Sequence, residues 1–207
     1  MASKRELAKQ LGRVTGFEQP SPELEQYRTP PEIAATVVQT AALQGDISGQ
    51  IVVDIGCGTG MLALASAFCG PEAVIGADID GTVLETAKEN ERQFELDTPT
   101  GWVRADVTDT PFCPPADNVT VVMNPPFGAQ DSNEHADRPF LNVAAEIADV
   151  SYSIHNQGSL SFVESFAGDR DGSVTHAFEA KFDLPPVFEF HTEKSKLIDV
   201  EVFRIEW

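Results

Sequence analysis

Two short segments of the 207-residue chain combine residue types and spacings that could do chemistry. The first is Asn124-Pro125-Pro126-Phe127, placed where an apolar run stops. Pro-Pro fixes two φ angles and makes the loop stiff. The Asn124 side-chain oxygen and the Pro125 carbonyl offer two acceptors to an amine conjugated to a ring or a carbonyl. Such a nitrogen is poorly nucleophilic because its lone pair is delocalised. Accepting its N–H bonds raises its electron density and aims the lone pair. Phe127 would add a flat wall on which a flipped base can stack. No strong base is needed, since a cationic product can lose its proton to water, and most of the rate would come from alignment and pre-set acceptors.

The second segment is Asp54-Ile55-Gly56-Cys57-Gly58-Thr59-Gly60, after a strand-like run and before a helical one. Gly56, Gly58 and Gly60 allow a sharp turn and close approach to a ligand. The carboxyl end of a first strand is where doubly wound sheets bind nucleotides. A dinucleotide loop would place its third glycine one position later, and Asp54 would repel a pyrophosphate. The same carboxylate can accept bonds from an ammonium group, so the loop suits S-adenosylmethionine, which has no phosphate. Asp78 ends the next strand, near the spacing of about 20 residues expected of a ribose-binding carboxylate. Asp106, after a third strand, is expected to accept the cofactor's adenine amino group, whereas Asp80 reads as a helix cap.

These loops need a frame. Residues 3–13 read as a short amphipathic helix, and a Pro-rich irregular stretch follows to residue 29. From Pro30 the spacing of Ile33, Val37 and Ala41 is helical, with Pro31 suited to a first turn. Apolar runs at 50–55, 73–77, 102–105, 119–123 and 150–154 read as strands, and helical patterns fall at 61–70, 82–94, 139–149 and 160–166. The last two strands, 174–182 and 196–205, have no helix between them, which implies an antiparallel edge. The expected fold is α/β, one domain over residues 1–207, with an N-terminal helix and irregular segment at 1–29 and a Rossmann-like core at 30–207. Its sheet should be seven-stranded and mostly parallel, with an antiparallel C-terminal strand and helices on both faces.

Composition bounds the setting. Fourteen Lys and Arg face 33 Asp and Glu, a net charge of −19 scattered along the chain. At low salt such a surface repels phosphate and counts against nucleic acid. In molar salt the Debye length shrinks to ~3 Å, so the charge says little about the partner. Adaptation to a salty cytoplasm is the preferred reading. No apolar stretch reaches the ~20 residues of a membrane span and the start lacks an apolar signal region, so a cytoplasmic protein is expected. Cys57, Cys69 and Cys113 form no C-x-x-C pair and His135, His155 and His176 are scattered, so no metal site is expected. His176 falls on the apolar face of its strand and reads as a core residue, while His155 is left without a role. The acidic stretch Asp131–Asp137 reads equally as a loop over the substrate mouth or as plain surface.

DIGCGTG together with NPPF resembles the Rossmann-like class I amino-methyltransferases. The fuller set, LEQYRTP, VVDIGCGTGMLALAS, IGADID, VMNPPFG, YSIH, KFDLPPVFEFH and IDVEVFRI, narrows this to one group. It resembles the small archaeal and eukaryotic methyltransferase-like family that makes N6-methyladenosine in small-subunit ribosomal RNA. The similarity runs from about Leu24 to Trp207. It implies that Gln26, Tyr27 and Thr29 border the cofactor pocket, that Asp54, Gly56, Asp78 and Asp106 hold S-adenosylmethionine, and that Asn124 to Phe127 hold the adenine. It also implies a small zinc-ribbon activator protein paired with the sheet edge near Trp102–Arg104, where an open apolar edge invites strand addition. The segment after Phe190 departs from the lysine-rich loop that the resemblance leads one to expect. Lys181, Lys194, Lys196 and His191 remain as RNA contacts, thinned by salt adaptation or reflecting a weaker RNA role.

The first functional reading is therefore an S-adenosylmethionine-dependent RNA adenine N6-methyltransferase. A protein glutamine N5-methyltransferase acting on a translation release factor needs the same two acceptors and is the alternative. An inactive cofactor-binding scaffold would predict a broken N-P-P-F, which is intact.

Overall fold

The computed structural model describes residues 3–112, 118–127, 136–184 and 196–207. Helix α1 (Lys4–Leu11) begins at a capping box, with the Ser3 hydroxyl accepting from the Glu6 N–H and the Glu6 carboxylate accepting from the Ser3 N–H. Helix α2 (Pro31–Gln44) has Pro31 in its first turn and ends at Gly45 in the left-handed region, φ +88°. Then β1 (Ile51–Ile55), α3 (Met61–Ala67), β2 (Ala73–Asp78), α4 (Gly81–Glu91), β3 (Thr100–Arg104) and β4 (Val119–Met123) alternate. The chain continues through α5 (Arg138–Ile147), β5 (Val150–Asn156), α6 (Leu160–Gly168), β6 (Ser173–Leu184) and β7 (Lys196–Glu206). None of the described helices is long and apolar enough to cross a membrane.

The seven strands form one sheet in the order β3-β2-β1-β4-β5-β7-β6. All neighbours from β3 to β5 are parallel, and β7 runs antiparallel to both β5 and β6. The expected architecture is met: the closing pair forms the antiparallel edge, with β7 inside the sheet and β6 outermost. Period-two alternation divides the core between the two faces. Val52, Val74, Val122, Tyr152 and Val202 pack with α1, α2 and α3, whereas Val53, Ile55, Val121, Met123, Phe203 and Ile205 pack with α5 and α6. Leu7, Leu11 and Val14 of the N-terminal segment belong to the first of these clusters, so the start of the chain is part of the core.

His176 corrects the sequence reading. It is exposed, with its Nε2 3.1 Å from Gln44 Nε2. A β-bulge between Val174 and His176 changes the phase of β6. Val174 thereby packs against the α5/α6 cluster, while Phe178 and Ala180 pack on the opposite face. A strict alternation put all of them on one side. On that same first face, the Arg204 guanidinium reaches Asp46, past the end of α2, through Nε at 2.8 Å and Nη2 at 3.1 Å. The Tyr152 hydroxyl donates to the same carboxylate at 2.6 Å, so Asp46 ties both β5 and the antiparallel β7 to the end of α2.

Trp102 on the outer strand β3 lies over two glycines. A Cβ on Gly76 would come within 2.5 Å of the indole ring, and one on Gly60 within 2.6 Å. The indole N–H is held by the Glu91 carboxylate at 2.7 Å. Gly76→Ala should therefore force the ring out of place and destabilise the fold by about 1–3 kcal/mol. Denaturant titration checks this, and a variant as stable as the parent would mean that Trp102 is not fixed against β2.

Candidate active site

Strands β1, β2 and β4 end together, and the chemistry-bearing loops meet there. The glycine loop is held by the next strand: the Gly56 and Cys57 N–H groups donate to the Ala77 carbonyl at 2.8 and 2.9 Å. Asp78 holds it from the side, accepting the Gly58 N–H at 2.8 Å and the Asp80 N–H at 2.9 Å. Gly56 and Gly58 have φ of +70° and +51°, and a Cβ on either would lie 2.8 Å from the Phe140 or the Phe17 ring. Only glycine lets the loop pass this close to both rings, which line a cavity of about 260 Å³. Asp78, Ile79, Asp106 and Phe112 line it too, so an aromatic base and a ribose find apolar walls with carboxylates beside them.

Gly60 differs from the expectation. It is not among the residues lining the cavity; it starts α3 with φ +89°, under Trp102, and its role is packing. Asp106 does line the cavity, and its Oδ1 also accepts the Thr108 N–H and hydroxyl at 2.8 and 2.7 Å. These bonds hold its carboxyl below the usual range, so turn capping and cavity lining coexist in one side chain. Asp80 caps α4 by accepting the Thr82 N–H at 2.8 Å, as the sequence suggested.

A strap from the N-terminal segment closes the near side. Gln26 accepts the Ser21 N–H at 2.8 Å and donates to Asp80 at 3.0 Å, which brings Gln26 and Tyr27 against the cavity. Burial pushes the Tyr27 hydroxyl above its ordinary value, and the Glu25 charge adds to this. Glu25, which sequence reasoning did not single out, has φ +48° and accepts the Phe127 N–H at 2.8 Å. Asn90 was missed as well. Fully buried in α4, it donates to the Thr15 and Thr59 carbonyls and accepts the Thr15 N–H, locking the strap's root to the glycine loop. Both act between segments far apart in sequence, where local patterns carry no signal.

Across the cavity stands Asn124. Its Nδ2 donates to the Thr29 hydroxyl at 3.0 Å, and its Oδ1 is buried with no hydrogen-bond partner among the described residues. Pro126 lines the cavity beside it, while Pro125 is buried behind. Phe127 is not among the lining residues: its half-buried ring rests against the first core cluster, and its carbonyl accepts from Asn156 Nδ2 at 3.4 Å. The aromatic rings that do line the cavity belong to Phe17, Tyr27, Phe112 and Phe140. His155, without a role at first reading, is buried between the Ser153 hydroxyl (2.5 Å from Nε2) and the Asp137 carboxylate (3.2 Å from Nδ1). It thus ties β5 to the residue before α5, the helix that carries Phe140. Of the proposed RNA contacts, Lys181 is exposed on β6 and Lys196 begins β7. His191 and Lys194 lie outside the described residues, as do Cys113 and most of 131–137. Among the described residues no group of three or more His, Cys, Asp or Glu could hold a metal ion.

Asp54 is buried at the end of β1, where its Oδ2 accepts the Ala63 N–H at 2.8 Å. It faces a small recess that opens beside the main cavity. Burial pushes its carboxyl up to about 7, the Ala63 bond opposing and the Asp78 charge assisting. A carboxyl raised on folding stabilises the fold fully below its unfolded value, and that contribution is lost as pH rises through about 7. Relative to Asp54→Asn, the ligand-free parent should therefore lose melting temperature between pH 5 and 8. A parent-to-variant difference that stays constant over this range would contradict a raised Asp54.

Comparison with known proteins fits this geometry. Residues 34–171 match the model of the methyltransferase small domain. The protein MJ0284 of Methanocaldococcus jannaschii is 38% identical over 215 residues, spanning 100% of this chain and 95% of its own length. The rRNA N(6)-adenosine-methyltransferase Mettl5 of Drosophila melanogaster is 37% identical over 205 residues, spanning 98% of this chain and 95% of its own. The crystal structure of PH1948 from Pyrococcus horikoshii superimposes with a TM-score of 0.88 at 36% identity, covering 100% of this chain and 98% of that one. A glycine cradle at the end of β1, carboxylates after β2 and β3 and an N-P-P-F loop after β4 are thus carried on a fold shared over almost the full length, and the chain belongs to the small-domain methyltransferase family, in the group that includes Mettl5.

Proposed function

We propose that the chain transfers the methyl group of S-adenosylmethionine to the N6 amino group of an adenine in RNA, with small-subunit ribosomal RNA as the substrate. The observation that carries this reading is the Asn124 amide. Its nitrogen is engaged by Thr29, so its buried oxygen, without a partner among the described residues, is the acceptor presented at the site. A buried carbonyl oxygen is a poor neighbour for an apolar group and a good one for an N–H donor. An adenine amino group supplies two such donors, one for Asn124 Oδ1 and one for the Pro125 carbonyl.

Asp54, Asp78, Asp106 and the loop at Gly56 and Gly58 fit the cofactor: an adenosine in the large cavity and an amino-acid end toward the Asp54 recess. When bound, S-adenosylmethionine supplies an electrophilic methyl group on a sulfonium, which becomes a neutral thioether as the N–C bond forms. The residues of the chain orient the amine, exclude water and stabilise the charge that builds on nitrogen, whose extra proton then leaves to solvent. Phe127 fixes the loop through its backbone bond to Glu25, and Pro126 presents the apolar surface next to the amide.

Two further parts rest on the same reading. A zinc-ribbon activator would add a strand to β3, the outermost strand of the sheet, along Trp102–Arg104. A charge of −19 supports work in a salty cytoplasm, where Lys181 and Lys196, with His191 and Lys194, would contact phosphates at short range only. The test is transfer of labelled methyl groups in molar KCl to ribosomal RNA from cells lacking the enzyme, with and without an activator, beside a peptide of the release-factor glutamine loop. Label should enter the RNA as N6-methyladenosine, and Asn124→Ala should lower the rate by about 10²–10³-fold with cofactor affinity nearly intact. Label on the peptide alone would refute the RNA assignment.

A further inference from the structure

The recess beside the main cavity is lined by Asp54, and also by Arg28. Arg28 lies within the strap and was not assigned any role from sequence. Its Nε is buried with no hydrogen-bond partner among the described residues, and its Nη2 makes only a long contact, 3.4 Å, to the Leu11 carbonyl. Among the described residues it forms no ion pair, and burial lowers its pKa, offset in part by the charge of Glu32. A guanidinium left this poorly satisfied and half out of water is a site for a charge-assisted bond. Its planar fork matches a carboxylate.

The recess is therefore lined by one acidic and one guanidinium-bearing residue that form no ion pair with each other. It joins the main cavity through Phe17, Tyr27, Gly56 and Gly58, and it reaches Asn124. A carboxylate and a guanidinium bordering one small space are complementary to a zwitterionic α-amino acid. They are poorly suited to a phosphate, which Asp54 would repel. Asn124 at the edge of the recess sets the reacting end close by.

We propose that Arg28 binds the α-carboxylate of the cofactor's amino-acid end and makes the site select adenosyl amino acids over adenosyl amines that lack that carboxylate. This rests on the reading that the chain binds S-adenosylmethionine. Asp54 takes the ammonium group, Arg28 takes the carboxylate, and the pair fixes the rotation of the chain that carries the sulfonium.

Calorimetry with S-adenosylhomocysteine, and with its decarboxylated analogue S-adenosyl-3-thiopropylamine, separates the possibilities. The parent protein should bind the intact amino acid about 10- to 100-fold more tightly than the analogue, the size of one charge-assisted contact. Arg28→Met should lose that preference by weakening the amino acid while leaving the analogue within about threefold. Arg28→Lys, which keeps the charge without the fork, should keep part of it. Melting temperatures of both variants report whether the fold is kept. Equal weakening of both ligands by Arg28→Met, or no change in either, overturns the assignment. A parent that binds neither ligand overturns the cofactor reading itself, and a parent that binds both alike overturns only the role of Arg28.

Discussion

A desolvated amide oxygen without a donor costs about 1–3 kcal/mol, and Asn124 carries that cost at the centre of the site. Among the described residues the oxygen stays unpartnered because everything around it is fixed. Thr29 holds the amide nitrogen, Pro125 and Pro126 stiffen the backbone on the far side, and Glu25 holds the N–H of the residue after them. A looser loop would rotate the amide to a partner within the protein. The rest of the site can be understood as what keeps this one acceptor pointed at a ligand.

That requirement explains why the N-terminal segment is built into the core. Thr29, Glu25 and Gln26 all come from the strap before α2, and each bonds to a different part of the site: Asn124, the Phe127 backbone and Asp80. Asn90 fastens Thr15 and Thr59 together and so joins the root of the strap to the glycine loop. On the opposite side His155 binds the residue before α5 and so sets Phe140 over Gly56. The alternating sheet brings the loops after β1, β2, β3 and β4 to one end, but it is these cross-links that set their distances.

The strand and helix order was legible in the sequence because apolar runs bounded by glycine and proline report burial directly. The two motifs were legible too, since glycine at Gly56 and Gly58 and proline after Asn124 restrict the backbone by themselves. What stayed hidden was long-range. Asn90 sits in a polar stretch of α4 and gives no local sign of being buried. Glu25 and Arg28 look like ordinary surface charges until the strap is folded onto the cavity. The burial expected of His176 failed for a related reason: it shares the face of Phe178 and Ala180, but β6 is the edge strand and leaves it exposed, while one extra residue before it turned Val174 to the other face. Gly60 was legible as a turn, but the pattern could not say that it packs under Trp102 instead of meeting the ligand.

The central claim is that the Asn124 oxygen accepts the N–H of the nitrogen to be methylated. A crystal structure of the chain with S-adenosylhomocysteine and a short adenosine-containing RNA tests it most directly. The account predicts the adenine N6 at about 2.7–3.2 Å from Asn124 Oδ1 and from the Pro125 carbonyl, with Nδ2 still on Thr29. An adenine bound in the site with N6 turned away, and Oδ1 bonded only to water or protein, would contradict it.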